Sequence, residues 1–399
     1  MIELGTWWLL LPLFFGLGWL AAKYDTRSGG APGMGRRTEL PDSYFRGLNF
    51  LLNEQPDKAI DAFVDVVRID PETIELHFAL GSLFRRRGET DRAIRVHQNL
   101  AERTDLRPEE REHAVYELGQ DFLKAGLLDR AEQAFDRLAE GSYGARALRH
   151  RLDIAQMVRD WPQAIELASR LAGTDQRDKT THRREMAHFH CEIAQAALEA
   201  KAPDFAAARR EIDEAARAAP DHPRPLLLAG EAALAEGDAE AAIAAWRGVA
   251  RGHPEYLPLV AEQWLGAHQA VKRLDAGIDA LEAVYDEHPS VDGFTALASA
   301  RAQRDGTASA REWAEGALRE SPSLLGLERL LAMVEPQAQG EQRAGIELAQ
   351  RLIQAQARRL SRFVCRSCGF KARRFYWHCP GCNGWDTYSP KRSEELERG

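Results

Sequence analysis

The sequence has 399 residues, room for one long repeat array or for two or three ordinary domains. Ala, Glu, Arg and Leu dominate and β-branched residues are scarce, which favours helix. A formal charge of −8 argues against general nucleic-acid binding, and four of the five cysteines cluster near the C-terminus, which suits a metal site in a reducing compartment rather than a disulfide framework.

Leu4–Ala22 is a run of 19 uncharged residues, LGTWWLLLPLFFGLGWLAA. As a helix it would span roughly 28 Å, close to the hydrocarbon thickness of a bilayer. Trp7, Trp8 and Trp19 lie towards its two ends, as interfacial anchors do. No Lys or Arg precedes the run and Glu3 does, which speaks against a cleaved signal peptide. Lys23, Arg27, Arg36 and Arg37 follow it, so the positive-inside rule puts the bulk of the chain in the cytoplasm. Residues 1–22 are therefore expected to form a single transmembrane anchor. Residues 23–39, with SGGAPGMG at 28–35, read as a flexible linker.

From residue 40 a pattern repeats. Gly47 and Gly81 lie 34 residues apart, as do Ala59 and Ala93. A large side chain, Phe63 and then His97, follows each Ala by four residues. The spacing returns as Gly119, Ala131 and Phe135, and as Gly230, Ala242 and Trp246. A period near 34 with small residues at fixed places marks tetratricopeptide repeats, each a helix–turn–helix pair. The small residues are expected to let the two helices approach, Ala93 facing Gly81, with the bulky residue filling the gap to the next pair. Asp57, Asp91 and Asp129 suit the start of each second helix. Gly88, Gly126 and Gly237 suit a left-handed turn between the helices. Pro220, Pro254, Pro289 and Pro322 punctuate the later repeats at spacings of 34, 35 and 33. The array is predicted to run over 40–360 as roughly eight to nine helical pairs.

Within it, HFHC at 188–191 places His188 and Cys191 on one helix face, but an isolated Cys at helical spacing usually packs in a core. His77 and His97 stand at repeat positions and are expected to pack. No nucleophile triad, carboxylate pair or phosphate-binding Gly loop can be argued from spacing, so the array reads as a protein-binding surface and the chain as a non-enzyme.

The C-terminal signal is sharper. Cys365-Arg-Ser-Cys368 is followed by Cys379-Pro-Gly-Cys382, two C-x2-C knuckles that can set four thiolates around one metal ion. A tetrahedron of four sulfurs suits iron and zinc alike. Gly369 and Gly381 suit turns whose amides point at sulfur, and Arg366, Lys371, Arg373 and Arg374 would offset the site's negative charge. Phe370, Phe375, Tyr376, Trp377, Trp385 and Tyr388 are expected to supply a small aromatic core. His378 precedes a ligand but is not needed as one. The module is placed at 361–390 and a tail at 391–399. The fold class is thus all-α: a tetratricopeptide-repeat solenoid with an N-terminal transmembrane helix before it and a small four-cysteine metal ribbon after it.

In this order of parts, and in NFLLNEQPDKAIDAF (49–63), LGSLFRRRGETDRAIRVHQ (80–98), AHFHCEIA (187–194) and CGF…YWHCPGCNGW (368–385), the chain resembles the lipopolysaccharide assembly protein B family of Gram-negative bacteria. The resemblance implies a single-pass inner-membrane protein whose cytoplasmic repeats carry a rubredoxin-like module ligating metal through Cys365, Cys368, Cys379 and Cys382. It implies a regulator that promotes degradation of the lipid A-committing deacetylase by the membrane AAA protease. It also implies a scaffold for other inner-membrane lipopolysaccharide-synthesis or signalling proteins, with a homo-oligomer compatible with that role. Two other functions compete: electron transfer by the module, and chaperone docking through a carboxylate clamp. The clamp needs Lys and Asn where this chain has Tyr44, Leu48, Phe78 and Ser82.

Overall fold

The structure, a computed structural model, describes residues 19, 46–47, 49–50, 55, 57–62, 74–174, 179–334 and 339–397. The anchor expected at 1–22 lies outside them except for Trp19, and the linker at 23–39 lies wholly outside. Among the described residues no helix is long and apolar enough to cross a membrane.

The chain divides into two compact units, residues 1–100 and 101–399. In the first, helical residues at 57–62 precede α1 (Ile74–Arg87) and α2 (Thr90–Glu102). Their core is Ala59, Ile60, Leu76, Leu80, Leu83, Phe84 and Ala93. The second unit continues as α3 (Pro108–Lys124), α4 (Leu128–Asp136), α5 (Gly144–Val158), α6 (Trp161–Thr174), α7 (Lys179–Leu198), α8 (Phe205–Ala218), α9 (Pro223–Ala235) and α10 (Ala239–Gly252). A 3-10 helix (Pro254–Val260) then leads into α11 (Ala261–Ala270), α12 (Leu274–Glu287), α13 (Val291–Asp305), α14 (Thr307–Glu320), α15 (Leu324–Val334) and α16 (Gly340–Leu360). From α1 to α16 the helices alternate as first and second members of eight pairs.

Local chemistry explains the punctuation. Gly88, Gly126 and Gly237 take φ of +81°, +75° and +87°, the left-handed turns expected between paired helices. Asp160, Asp204 and Asp238 each accept the amide three residues on, at 3.1, 2.8 and 2.9 Å, so a carboxylate caps the second helix in three consecutive pairs.

The repeat signature adds one contact to the sequence expectation. The bulky residue faces the next pair, as Phe135 does in stacking on His150 at 4.8 Å, and it also lies on the glycine of its own pair. A Cβ on Gly81 would collide with the His97 ring, one on Gly230 would collide with the Trp246 indole, and one on Gly119 would stand 2.7 Å from the Phe135 ring. Trp246 is fully buried and donates from Nε1 to the Leu227 carbonyl at 3.1 Å. The missing side chain on the first helix is the socket for the large one on the second.

After α16 come three short strands, β1 (Phe363–Cys365), β2 (Lys371–Ala372) and β3 (Tyr388–Arg392), in the antiparallel order β2-β1-β3. The register pairs Phe363 with Ala372 and Cys365 with Tyr388. β3 runs on past residue 390, and α17 (Ser393–Glu397) follows it directly.

The socket predicts a sharp contrast. Gly230→Ala should cost about 1–3 kcal/mol by overpacking against Trp246. Gly252→Ala, where an added Cβ meets nothing within 4 Å, should stay within about 0.5 kcal/mol. Thermal melts of the two variants check this, and equal shifts would contradict the socket.

Candidate metal centre and its seat on the array

The four cysteine sulfurs lie within 4.8 Å of one another. Cys365 and Cys382 sulfurs are 3.8 Å apart, and Cys368 and Cys379 sulfurs 3.7 Å. Metal–sulfur arms of about 2.3 Å at tetrahedral angles give sulfur–sulfur edges of about 3.8 Å, so the donor set fits a metal ion held by four sulfurs. Each knuckle is closed by the same turn. The Gly369 amide donates to the Cys365 carbonyl and the Asn383 amide to the Cys379 carbonyl, both at 2.9 Å. The left-handed residue of the turn is Gly369 in one knuckle (φ +74°) and Asn383 in the other (φ +55°). Gly381 serves differently, donating its amide to Cys379 Sγ at 3.4 Å.

The thiol protons are shared unequally. At Cys365 burial raises the pKa, but the Thr387 side chain and the amides of Cys368 and Ser367 outweigh it and bring the thiol to about 6. At Cys368 the Phe370 amide lowers it, but burial and the neighbouring thiols push it up to about 12. Four thiolates packed this closely need a cation among them. Two of the cysteines, Cys365 and Cys379, are buried, and Cys368 and Cys382 are exposed.

The aromatics expected to form one module core are divided between two jobs. Phe363, Cys365, Ala372, Cys379 and Tyr388, with Phe375 and Tyr376 against them, make the interior, to which Leu259 of the 3-10 helix adds. Trp377 and Trp385 instead pack against core clusters of the array, while Phe370 is exposed. The hairpin that carries them, bridged by His378 and Trp385, is a plug. The Trp385 indole stacks between His188 at 4.6 Å and His378 at 4.3 Å, meets Trp161 edge-on, and donates from Nε1 to Gln156 Oε1 at 2.8 Å. Trp377 stacks on Tyr256 at 5.4 Å.

Next to Trp385 lies the charged tip of the plug. Asp386 has Arg184 Nε at 3.0 Å, His188 Nε2 at 3.1 Å and His222 Nε2 at 3.3 Å. The His188 contact is close but off the line of a straight hydrogen bond. Two histidines and a carboxylate converging this closely could hold a cation. Their other bonds exclude it. His188 Nδ1 is 3.2 Å from Arg224 Nη1, and a guanidinium can only donate. His222 Nδ1 accepts the Arg224 backbone amide at 3.2 Å. Each neutral ring therefore carries its proton on Nε2, on the side of Asp386, to which His222 donates; ligating a metal there would require two imidazolates. The group is a latch rather than a second metal site. Burial opposes ionisation of Asp386, but the close His188 and His222 rings outweigh it and hold the carboxyl far below its usual range. Burial, only partly offset by Asp386, pushes His188 down to about 4.

Arg224 organises this seat from beneath. Only 3% exposed, it reaches His188, donates to Glu192 at 2.6 Å, and lies under both Trp377 and Trp385 at 5.8 Å. Further along, Arg392 grips Asp292 through two bonds of 2.9 and 2.6 Å. Glu394 accepts the Leu324 amide, the Leu325 amide at 3.2 Å and the Ser323 hydroxyl at 3.1 Å, and so caps α15.

The structure gathers the four sequence-predicted cysteines at one point. It separates HFHC: His188 joins the latch, His190 pairs with Glu211 at 2.7 Å, and Cys191 is fully buried with its thiol pushed up to about 12 by burial. His378 stacks on Trp385 and donates to the Asn383 carbonyl at 3.1 Å. Arg366 and Arg374 serve the Asp386 carbonyl and the Tyr376 hydroxyl. Sequence reasoning missed Gln156, Arg184, His222, Arg224 and Asp386 as members of the seat, since their partners lie as far as 229 positions away.

Comparison with known proteins settles the family. A match to the rubredoxin metal binding domain covers residues 363–390. Lipopolysaccharide assembly protein B of Escherichia coli K12 is 32% identical over 386 residues, 96% of this chain and 97% of that one. The chain belongs to the lipopolysaccharide assembly protein B family. The Haemophilus influenzae member is 28% identical over 414 residues, spanning 99% of this chain and all of its own. A solved tetratricopeptide repeat protein from Parabacteroides merdae aligns with 79% of this chain at 13% identity and a TM-score of 0.26. The curated relatives extend through both the helical array and the cysteine ribbon, the two parts that meet at the latch.

This geometry predicts that the ribbon's seating responds to a metal ion held by the four cysteines and to pH. Structural metal sites in small folds contribute about 10–16 kcal/mol, so Cys368→Ser should unfold the ribbon and release the plug while the helices persist. Limited proteolysis should then cut within 363–390, with the helical circular dichroism signal largely kept. The pH dependence comes from the latch. His188 titrates near 4 when seated but near 6.5 when released, so seating is fully supported above about 6.5 and weakens as pH falls towards 4. Asp386 stays ionised throughout that window. Protease sensitivity of the ribbon should therefore rise between pH 7 and pH 5, and His188→Gln should flatten that dependence.

Proposed function

We propose that the chain is a non-enzymatic adaptor in the control of lipopolysaccharide synthesis, tethered to the inner membrane through residues 1–22 with the array and ribbon on the cytoplasmic side. In this reading it presents the lipid A-committing deacetylase to the membrane AAA protease for degradation, and it brings other inner-membrane lipopolysaccharide-synthesis or signalling proteins together. The observation that carries it is membership of the family over 96% of the chain at 32% identity. The site geometry agrees with it. Cys365, Cys368, Cys379 and Cys382 would hold one iron or zinc ion, and four thiolates leave no position open for a substrate. Such an ion would neutralise the sulfurs and lock the hairpin that carries Trp385 and Asp386. Tethering raises the local concentration of membrane partners around the array without a new contact.

The test is the steady-state level of the deacetylase. Cells carrying Asp386→Ala should accumulate it, since an empty latch leaves His188 and His222 without their acceptor, whereas cells carrying Gly252→Ala should not. Wild-type levels in a strain lacking the chain altogether would overturn the reading.

A further inference from the structure

Between the ribbon and the array lies a cleft of about 1200 Å³. That exceeds the roughly 300–1,000 Å³ of small-molecule pockets and suits a length of polypeptide. Its two walls differ in charge. The first helices of three consecutive pairs, α7, α9 and α11, contribute Glu192, Glu231 and Glu262, and Glu199 follows the end of α7. The ribbon contributes Arg373 and Arg374, and Tyr376 beside them also lines the cleft. Other charges line the cleft as well: Arg224 is matched to Glu192 and Arg392 to Asp292, Arg159 adds one positive charge on the array side, and Arg374 already feels Glu199. Glu231 and Glu262 make no hydrogen bond or ion pair among the described residues. Glu231 is open to the water of the cleft yet surrounded by protein, and its burial raises its pKa. A carboxylate held in that position gains from a cation brought to it.

An extended chain sends successive side chains to opposite sides. A segment lying in a cleft with one acidic and one basic wall is therefore matched by alternation rather than by net charge. We propose that the cleft takes an extended segment of a partner protein in which basic side chains face Glu199, Glu231 and Glu262 and acidic side chains, at the alternate positions, face Arg373 and Arg374. This inference rests on the adaptor reading and gives its array a ligand chemistry. Tyr376, half-buried at the edge of the ribbon, supplies apolar contact along the segment.

The test uses the full-length chain in detergent micelles and two fluorescent decapeptides of equal composition. One alternates Lys and Glu; the other carries five Lys followed by five Glu. The alternating peptide should bind at least about tenfold more tightly, and binding should fall with salt. Glu231→Gln combined with Glu262→Gln should weaken it about fivefold or more, and Arg373→Gln should weaken it less, with thermal melts showing that both variants remain folded. Equal binding of the two peptides overturns the proposal. So does an affinity that neither variant changes, or no binding of the alternating peptide. Each of these outcomes leaves the adaptor reading standing, because that reading fails on deacetylase levels alone.

Discussion

A half-buried carboxylate facing two buried imidazoles needs partners, and much of this structure follows from the partners of Asp386. Placing a charge in the low-dielectric seam between ribbon and repeats costs several kcal/mol unless donors meet it. Arg184 and the two imidazoles meet it, Arg224 fixes both imidazole tautomers, and Trp385 seals the seam beside them. Such a contact is weak as a source of stability but strong as a specification of register. A hairpin displaced by one residue would bury the carboxylate against nothing. The cysteine knuckles supply the stiffness this requires, because Asp386 lies four positions beyond Cys382.

Seating the ribbon also changes what the array can offer. Consecutive first helices present their side chains to the ribbon, and without it they would present them to water. With it, they become one wall of a cleft whose other wall carries opposite charge. The tail contributes at the far end, where Arg392 and Glu394 fasten α13 and α15. Ribbon and tail together span α5 to α15, so the last part of the chain returns over most of the second unit.

Much of the fold was legible because it is written in short range. Gly88, Gly126 and Gly237 declare left-handed turns by their identity, and the 34-residue period declares helical pairs. The four cysteines announce a common site because two C-x2-C knuckles have few other uses. The glycine–aromatic socket was half legible. The spacing of Gly230 and Trp246 was visible, but that the indole rests on the glycine of its own pair depends on the helix rotation. The aromatic run of the ribbon misled for a related reason. Trp377 and Trp385 have the composition of a module core, and only the presence of a second surface draws them out of it.

What the sequence by itself determined is the order of array and ribbon, the helical repeat, the turn positions and the gathering of the four cysteines, all of which rest on backbone preference or on spacing within a few dozen residues. What the tertiary structure alone decided is the latch and the cleft. His188 and His222 stand one repeat period apart, but Asp386 lies 164 positions beyond His222, and nothing in its neighbours marks it as their partner. Their protons are assigned only by the other bonds each ring makes, to Arg224 in both cases. Convergence of that kind is a property of packing, and packing is where one-dimensional pattern stops carrying information.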